Sequence, residues 1–293
     1  MWLLLAVIST LFIGVSTILS KIGIKDADAY VTGAVTNTVL LAAFAGTALF
    51  SGSFGQVSDM TMSTWLSVLA SGIVLSISWA FYFLGLKGGS VSVFLAIQSL
   101  TIVISMILCA VFIKEKITIF MLLGTALIIT GTLLMMDRQE LAALSGKGLW
   151  KSEQRWILFA GLSAVCASIS YVIVKSDTEP IDTNVTSTFR YIIVVVMLWL
   201  LLAKKGKGRE FGEISPKTWL FILLGAAASG AGHVLVYKAL FLGKAAVIMT
   251  IYRMGMVISI ILSRIFLKEK LSAKGWGGFG LLVCGVVLFA IGR

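Results

Sequence analysis

The sequence predicts an all-α integral membrane protein of ten transmembrane helices arranged as two inverted five-helix repeats, and three observations predict it. The first is apolarity: 59% of the residues are hydrophobic and 13% charged, with a mean hydropathy of +1.03, whereas soluble domains are roughly 25% charged. The second is the recurrence of uncharged runs of about 18 residues or more, the length a helix needs to cross a bilayer. The third is an ungapped self-match that aligns Trp2 with Trp156 and continues through both halves. Runs such as 66–86 and 191–203 are apolar on every side, unlike the alternating strands of a transmembrane barrel.

Taken in order, the runs place spans at about 2–24, 30–50, 64–86, 89–113, 117–136, 156–176, 184–203, 218–241, 244–267 and 273–291. The first begins at Trp2 with no basic stretch before it, so it reads as a spanning helix rather than a cleaved signal. The longest connections, Asp137 to Arg155 and Lys204 to Lys217, are charged and too short to fold alone. Cys109, Cys166 and Cys284 lie inside apolar runs without metal-ligand spacing and read as packing residues. The net charge is +11, but Lys and Arg cluster between the runs, where they meet lipid head groups and set topology. Nucleic acid is therefore not an expected partner, and neither a cofactor nor a metal is expected. The expected location is a cell membrane, as a multi-pass protein of a prokaryotic inner or plasma membrane.

The self-match is densest around the ends of spans four and nine. Val103-Ile104-Ser105 matches Val257-Ile258-Ser259, and Lys114-Glu115-Lys116 matches Lys268-Glu269-Lys270. Ser16 pairs with Ser170, Lys21 with Lys175, Trp65 with Trp219, Gly124 with Gly278 and Gly131 with Gly285. The units are 1–139 and 155–293, joined by 140–154. Five spans per unit is an odd number, so the second unit enters the membrane from the opposite side. Inverted repeats place a binding site near the midplane between the halves and permit rocking of one against the other. The glycines, seven apart on one helix face, read as close-packing positions, and the Lys-Glu-Lys triplets as helix-end and topology features.

Ten spans in a 5+5 repeat, with a Glu-containing charged closure after spans four and nine, resemble the drug/metabolite transporter superfamily in its EamA-type branch, over the whole chain. The resemblance implies a secondary transporter of small molecules. Members of that branch carry a proline in spans four and nine, about fourteen residues before the Glu. Thr101 and Gly255 stand there instead, so the kink is expected to be softer or absent. Small multidrug transporters of the superfamily bind cationic drugs through a first-span glutamate; here span one has Gly14, Ser16 and Thr17, which argues against that chemistry. Organic phosphate translocators hold their anion on a Lys-Arg pair of span nine, which Tyr252-Arg253 resembles only in the Arg, so carboxylate is better supported than phosphate. The Lys and Arg count puts the N-terminus outside, whereas the resemblance puts both termini in the cytoplasm; an even number of spans requires only that they share a face.

An ionisable side chain inside a span costs about 2.5–3.5 kcal/mol on insertion scales and by default faces the protein interior or water. Arg253, His233 and Arg190 qualify. At about 1.5 Å per residue, Arg190, His233 and Arg253 lie roughly 9, 12 and 14 Å from one face, depths at which they surround one ligand. No Asp or Glu falls within a span, so buried cations favour an anionic ligand. His233 and Tyr237, at i and i+4, share a helix face. Tyr252, Gln98, Trp79, Tyr82, Asn37 and Tyr171 complete the candidate substrate-binding set.

The expected function is alternating-access transport of a small organic anion or zwitterion, such as an amino-acid-like metabolite, in a lipid environment. The alternatives are flipping of a lipid-linked sugar or lipid head group, and a non-transporting membrane scaffold. One histidine, no carboxylate inside a span and no metal motif leave little catalytic equipment, so an enzyme is not expected. The sequence leaves the oligomeric state open.

Overall fold

The computed structural model describes residues 1–144, 153–177, 181–242, 248 and 251–292, with backbone alone for 208–210, 237, 240 and 241. The helices are α1 (Trp2–Lys25), α2 (Ala29–Phe50), α3 (Met62–Gly88), α4 (Val91–Leu108), α5 (Ile119–Met135), a short α6 (Arg138–Ala143), α7 (Arg155–Ser176), α8 (Thr183–Lys204), α9 (Pro216–Leu242), α10 (Gly255–Phe266) and α11 (Ala273–Ile291). Among the described residues, eight helices are long and apolar enough to cross a membrane, and Ile119–Met135 is a shorter apolar one. The ninth span is described from 251 and continues as α10; 243–247, 249 and 250 lie outside the described residues.

Helix starts repeat between the halves because their capping residues do. Asp28 caps α2 and Asp182 caps α8; Thr61 caps α3 and Ser215 bonds the Thr218 amide in α9; Thr118 caps α5 and Ser272 caps α11. Each side-chain oxygen accepts from an amide that the first helical turn leaves unpaired. The ends of spans four and nine repeat as well. Lys114 and Lys268 adopt left-handed φ values of 60° and 55°. The following amides, of Glu115 and Glu269, reach back six residues to the carbonyls of Cys109 and Ser263 at 3.3 and 3.4 Å, the closure of a helix by a left-handed residue. The Lys-Glu-Lys triplets are thus helix-end devices, as expected.

The packing follows the same two-fold relation. α1 packs on α9 as α7 packs on α3, α4 on α7 as α10 on α1, and α2 on α9 as α8 on α3, while α2 with α8 and α5 with α11 pair across the axis. The glycines are what bring α5 against α11. A Cβ on Gly124 would lie 2.7 Å from the Gly285 carbonyl, and one on Gly131 2.6 Å from the Gly278 carbonyl. Polarity runs inside-out relative to a soluble bundle: Ser9, Thr32, Ser71, Ser163, Ser168 and Ser263 are buried, while Leu4, Leu66, Leu122, Leu200 and Leu224 are exposed, the pattern of helices that pack through small residues and face lipid with large ones.

α4 runs unbroken through Thr101, whereas the ninth span has a turn at Met254, with ψ of −8° and an amide bonded three residues back to Ile251. Gly255 follows at once and approaches α1, where a Cβ would meet Ile13 at 3.2 Å and the Thr10 carbonyl at 3.3 Å.

Alternation of the helices gives the bundle two ends. Trp2 and Leu5 cluster near Ile248 and Tyr252, and Gly292 accepts from Thr118, so both termini share one end, here the termini face. The α1–α2, α3–α4 and α8–α9 connections and residues 267–272 lie at the other, the loop face.

Candidate functional site

Arg253 lines a small cavity of about 30 Å³ with Ser105, Cys109, Glu115, Met121, Tyr171 and Phe289. Its walls come from both halves: α4, α5 and the Lys-Glu-Lys closure from the first, and α7, the ninth span and α11 from the second. It holds about one water-sized body. Glu115 is also ion-paired with Lys175 of α7. A guanidinium and a carboxylate therefore share one cavity at the junction of the repeats, toward the termini face.

Arg190 lies in a different cavity, of about 140 Å³, between α3, the end of α7 and the start of α8. Its Nη2 donates to Ser170 Oγ at 3.1 Å, and that hydroxyl donates onward to the Ser71 carbonyl at 2.9 Å. Thr64, Ser67, Ser71, Thr183, Thr186 and Asp177 give the cavity a polar wall, and Thr64 Oγ1 donates to Asp177 at 3.3 Å.

His233 takes a third position. Its Nδ1 is 2.8 Å from the Ser229 carbonyl; a carbonyl only accepts, so this ring nitrogen carries the proton. Nε2 is then the acceptor for the Tyr252 hydroxyl at 3.3 Å. Phe44 stands edge-on to the imidazole, with centroids 6.1 Å apart, and packs against Tyr191 at 5.0 Å.

The first-half candidates form a wall of their own. Trp79 stacks on Phe83 and meets Tyr82 edge-on, and Tyr82 continues to Phe94. Trp79 Nε1 is buried with no hydrogen-bond partner among the described residues. Asn37 is fully buried and donates to the Gly33 carbonyl at 2.8 Å, while its Oδ1 has no partner among the described residues. Gln98 donates to the Ala160 carbonyl of α7 at 3.4 Å, a bond between the halves. Tyr237 sits on α9 with its side chain outside the described part.

In this structure Arg190 and Arg253 line separate cavities, and His233 and Tyr252 form a bonded pair. Each arginine cavity also holds a carboxylate. Glu115 and Asp177 belong to no span by sequence, yet they sit where helix ends meet and so reach into the cavities of Arg253 and Arg190.

The model of the EamA-like transporter family matches residues 1–137 and again 154–291. The chain belongs to that family. It is a multi-pass membrane transporter of a small-molecule substrate. An uncharacterized transporter of a Sinorhizobium species is 30% identical over 138 residues, which are 98% of that protein and 47% of this chain, so the relative is about one repeat long. An uncharacterized protein of Methanocaldococcus jannaschii is 30% identical over 99 residues, 71% of that protein and 34% of this chain. A solved crystal structure covers 97% of this chain and 94% of its own with a TM-score of 0.64 at 16% identity, a likeness of fold alone.

Several residues of this EamA-like transporter escaped the candidate set. Glu115, Asp177 and Ser71 line the arginine cavities, Ser170 accepts from Arg190, and Lys21 is a buried cation at the loop face. The repeat carried a usable signal for two of them, because it aligns Lys21 with Lys175 and Glu115 with Glu269. Nothing in the hydropathy pattern marked Ser71 or Asp177.

Proposed function

We propose that this EamA-like transporter is a secondary transporter of a small organic zwitterion or anion with a carboxylate, working by alternating access between its two five-helix units. The observation that carries the proposal is the joint presence of Arg253 and Glu115 in one cavity between the halves. A carboxylate on the substrate pairs with the Arg253 guanidinium. A substrate ammonium takes Glu115, displacing Lys175. Tyr171 supplies a hydroxyl and an aromatic face. At about 30 Å³ the cavity admits no metabolite as it stands, so the ligand enters as the units part.

The alternative of flipping a lipid-linked sugar or lipid head group is better served by two arginines on one phosphate; their separation by α7 favours the soluble metabolite. The test is counterflow uptake by the reconstituted protein across a panel of amino acids and organic acids. Arg253→Ala is expected to lower uptake of its best substrate at least tenfold, the scale of a lost charge-assisted pair, and Arg253→Lys to restore only part of it, because Lys lacks the planar fork. Wild-type rates in both variants for every substrate carried would sink the assignment.

A further inference from the structure

Lys21 is only 8% exposed, on the last turns of α1, where a charged amine is tolerated only when it is well bonded. Its Nζ donates to the carbonyls of Leu86, Lys87 and Gly89, at the corner between α3 and α4. Glu269, at the end of the ninth span, grips the other side of that corner. It accepts from the amides of Val91 at 2.7 Å and Ser92 at 3.2 Å, and from the Ser92 hydroxyl at 2.9 Å. The loose carbonyls ending α3 are thus closed by a cation and the loose amides opening α4 by an anion, each matching the local helix dipole. α1, α3, α4 and the ninth span are tied together at the loop face.

The repeat puts the same two residues at the termini face, Lys175 for Lys21 and Glu115 for Glu269. There they are paired directly with each other, with side chains 25% and 38% exposed, beside the Arg253 cavity. One pair of positions therefore occupies two arrangements in one molecule: split and buried on a helix corner at the loop face, joined and open to solvent at the termini face.

We propose that Lys21 with Glu269 and Lys175 with Glu115 are repeat-related latches, of which the loop-face latch is the closed one here, and that they exchange arrangements during transport. The proposal rests on the alternating-access cycle proposed above. Opening the loop face frees Lys21 and Glu269 to pair with each other, as Lys175 and Glu115 do in this structure. Neutralising Glu269 withdraws bonds made only in the loop-face-closed state, so it shifts the population toward the opposite one; neutralising Glu115 weakens the opposite closure and leaves the loop face shut.

The experiment uses the full chain with Cys109→Ser, Cys166→Ser and Cys284→Ser and one reporter, labelled in sealed vesicles with a membrane-impermeant maleimide. Ser263→Cys reports the loop face, since Ser263 is fully buried behind Glu269 and touches Ser92 at 3.3 Å. Ser105→Cys reports the Arg253 cavity. Adding Glu269→Gln is expected to raise Ser263→Cys labelling about tenfold, the scale of lost charged hydrogen bonds, and to lower Ser105→Cys labelling from the other side. Adding Glu115→Gln leaves Ser263→Cys protected, and Glu269→Asp restores much of the wild-type pattern in a chain of unchanged melting temperature. An unchanged Ser263→Cys rate overturns the latch, as does a rise at Ser263→Cys with Ser105→Cys unaffected, which marks local fraying of the corner. Labelling needs no substrate, so reciprocal labelling in a chain that transports nothing would sink the transport proposal while leaving the latch standing.

Discussion

Replacing Gly131 by Ala tests whether α5 and α11 are held by backbone contact. The new Cβ lies 2.6 Å from the Gly278 carbonyl oxygen, 2.7 Å from the Leu282 amide nitrogen and 2.9 Å from the Leu282 Cβ. Two of these atoms are backbone, so no rotamer change relieves them. The helices must part by about 0.8 Å before the 2.6 Å approach reaches ordinary contact at 3.4 Å, and a gap of 0.5–1 Å forfeits roughly a quarter to a half of each pairwise attraction it opens. Overpacking of this kind costs about 1–3 kcal/mol, against a gain of up to about 1 kcal/mol in helix propensity for Gly to Ala. Gly280 on α11 is the control, since a Cβ there meets nothing within 4 Å and only the propensity gain remains. The assay is the apparent melting temperature of the purified protein in detergent. Gly131→Ala should melt below wild type and Gly280→Ala at or above it. Equal melting of the two variants would refute the claim that backbone contact sets this interface.

Two further outcomes follow from hydrogen bonds. Thr118 Oγ1 accepts from the Met121 amide at 3.3 Å and donates to the Gly292 carbonyl at 2.8 Å, while its counterpart Ser272 caps Gly275 at 3.0 Å; Thr118→Ala should therefore cost about 1–2 kcal/mol and melt lower than Ser272→Ala, and the reverse order would contradict it. If His233 carries a coupling proton, its bonds to Ser229 and Tyr252 fix which nitrogen receives it, so His233→Gln should flatten the dependence of uptake on pH between about 5 and 8, and an unchanged profile removes the proton role.

The fold was legible because length, apolarity and repetition are local properties. Each span contains enough uncharged residues to declare itself, and Asp, Ser or Thr at matching positions of the two halves starts matching helices. The close packing of α5 and α11 was legible for the same reason, since glycines seven apart have one use on a spanning helix. For the candidate site, the sequence shows which ionisable residues lie inside spans but not which of them share a cavity. Arg190, His233 and Arg253 have similar depths, but depth fixes one coordinate out of three, and α7 stands between the two arginines. Glu115 and Asp177 fall outside the spans by hydropathy, yet a carboxylate on a helix end can reach a cavity that a neighbouring helix lines. The turn at Met254 was hidden too, because a glycine in proline's place permits tightening without requiring it.

Positions where the halves agree and positions where they differ sort the molecule's parts by task. In the cycle proposed above, groups that must serve both faces in turn have to occur in both copies. Lys21 and Lys175, Glu115 and Glu269, and the left-handed Lys114 and Lys268 meet that condition. The Arg190 cavity does not: its wall residues Arg190, Asp177, Ser71 and Val68 are matched at the loop face by Thr36, Gly23, Gly225 and Ile222. There Gly23 is so close to Ile222 that a Cβ would lie 2.7 Å from it, and Gly225 similarly abuts Ser20 at 3.0 Å. Small residues let α1 and α9 close in this structure where α7 and α3 leave a polar space. Arg253, His233 and Tyr252, matched by Ser99, Trp79 and Gln98 in the first half, are also single-copy, so in that cycle they cannot exchange roles with a repeat partner as the latches do.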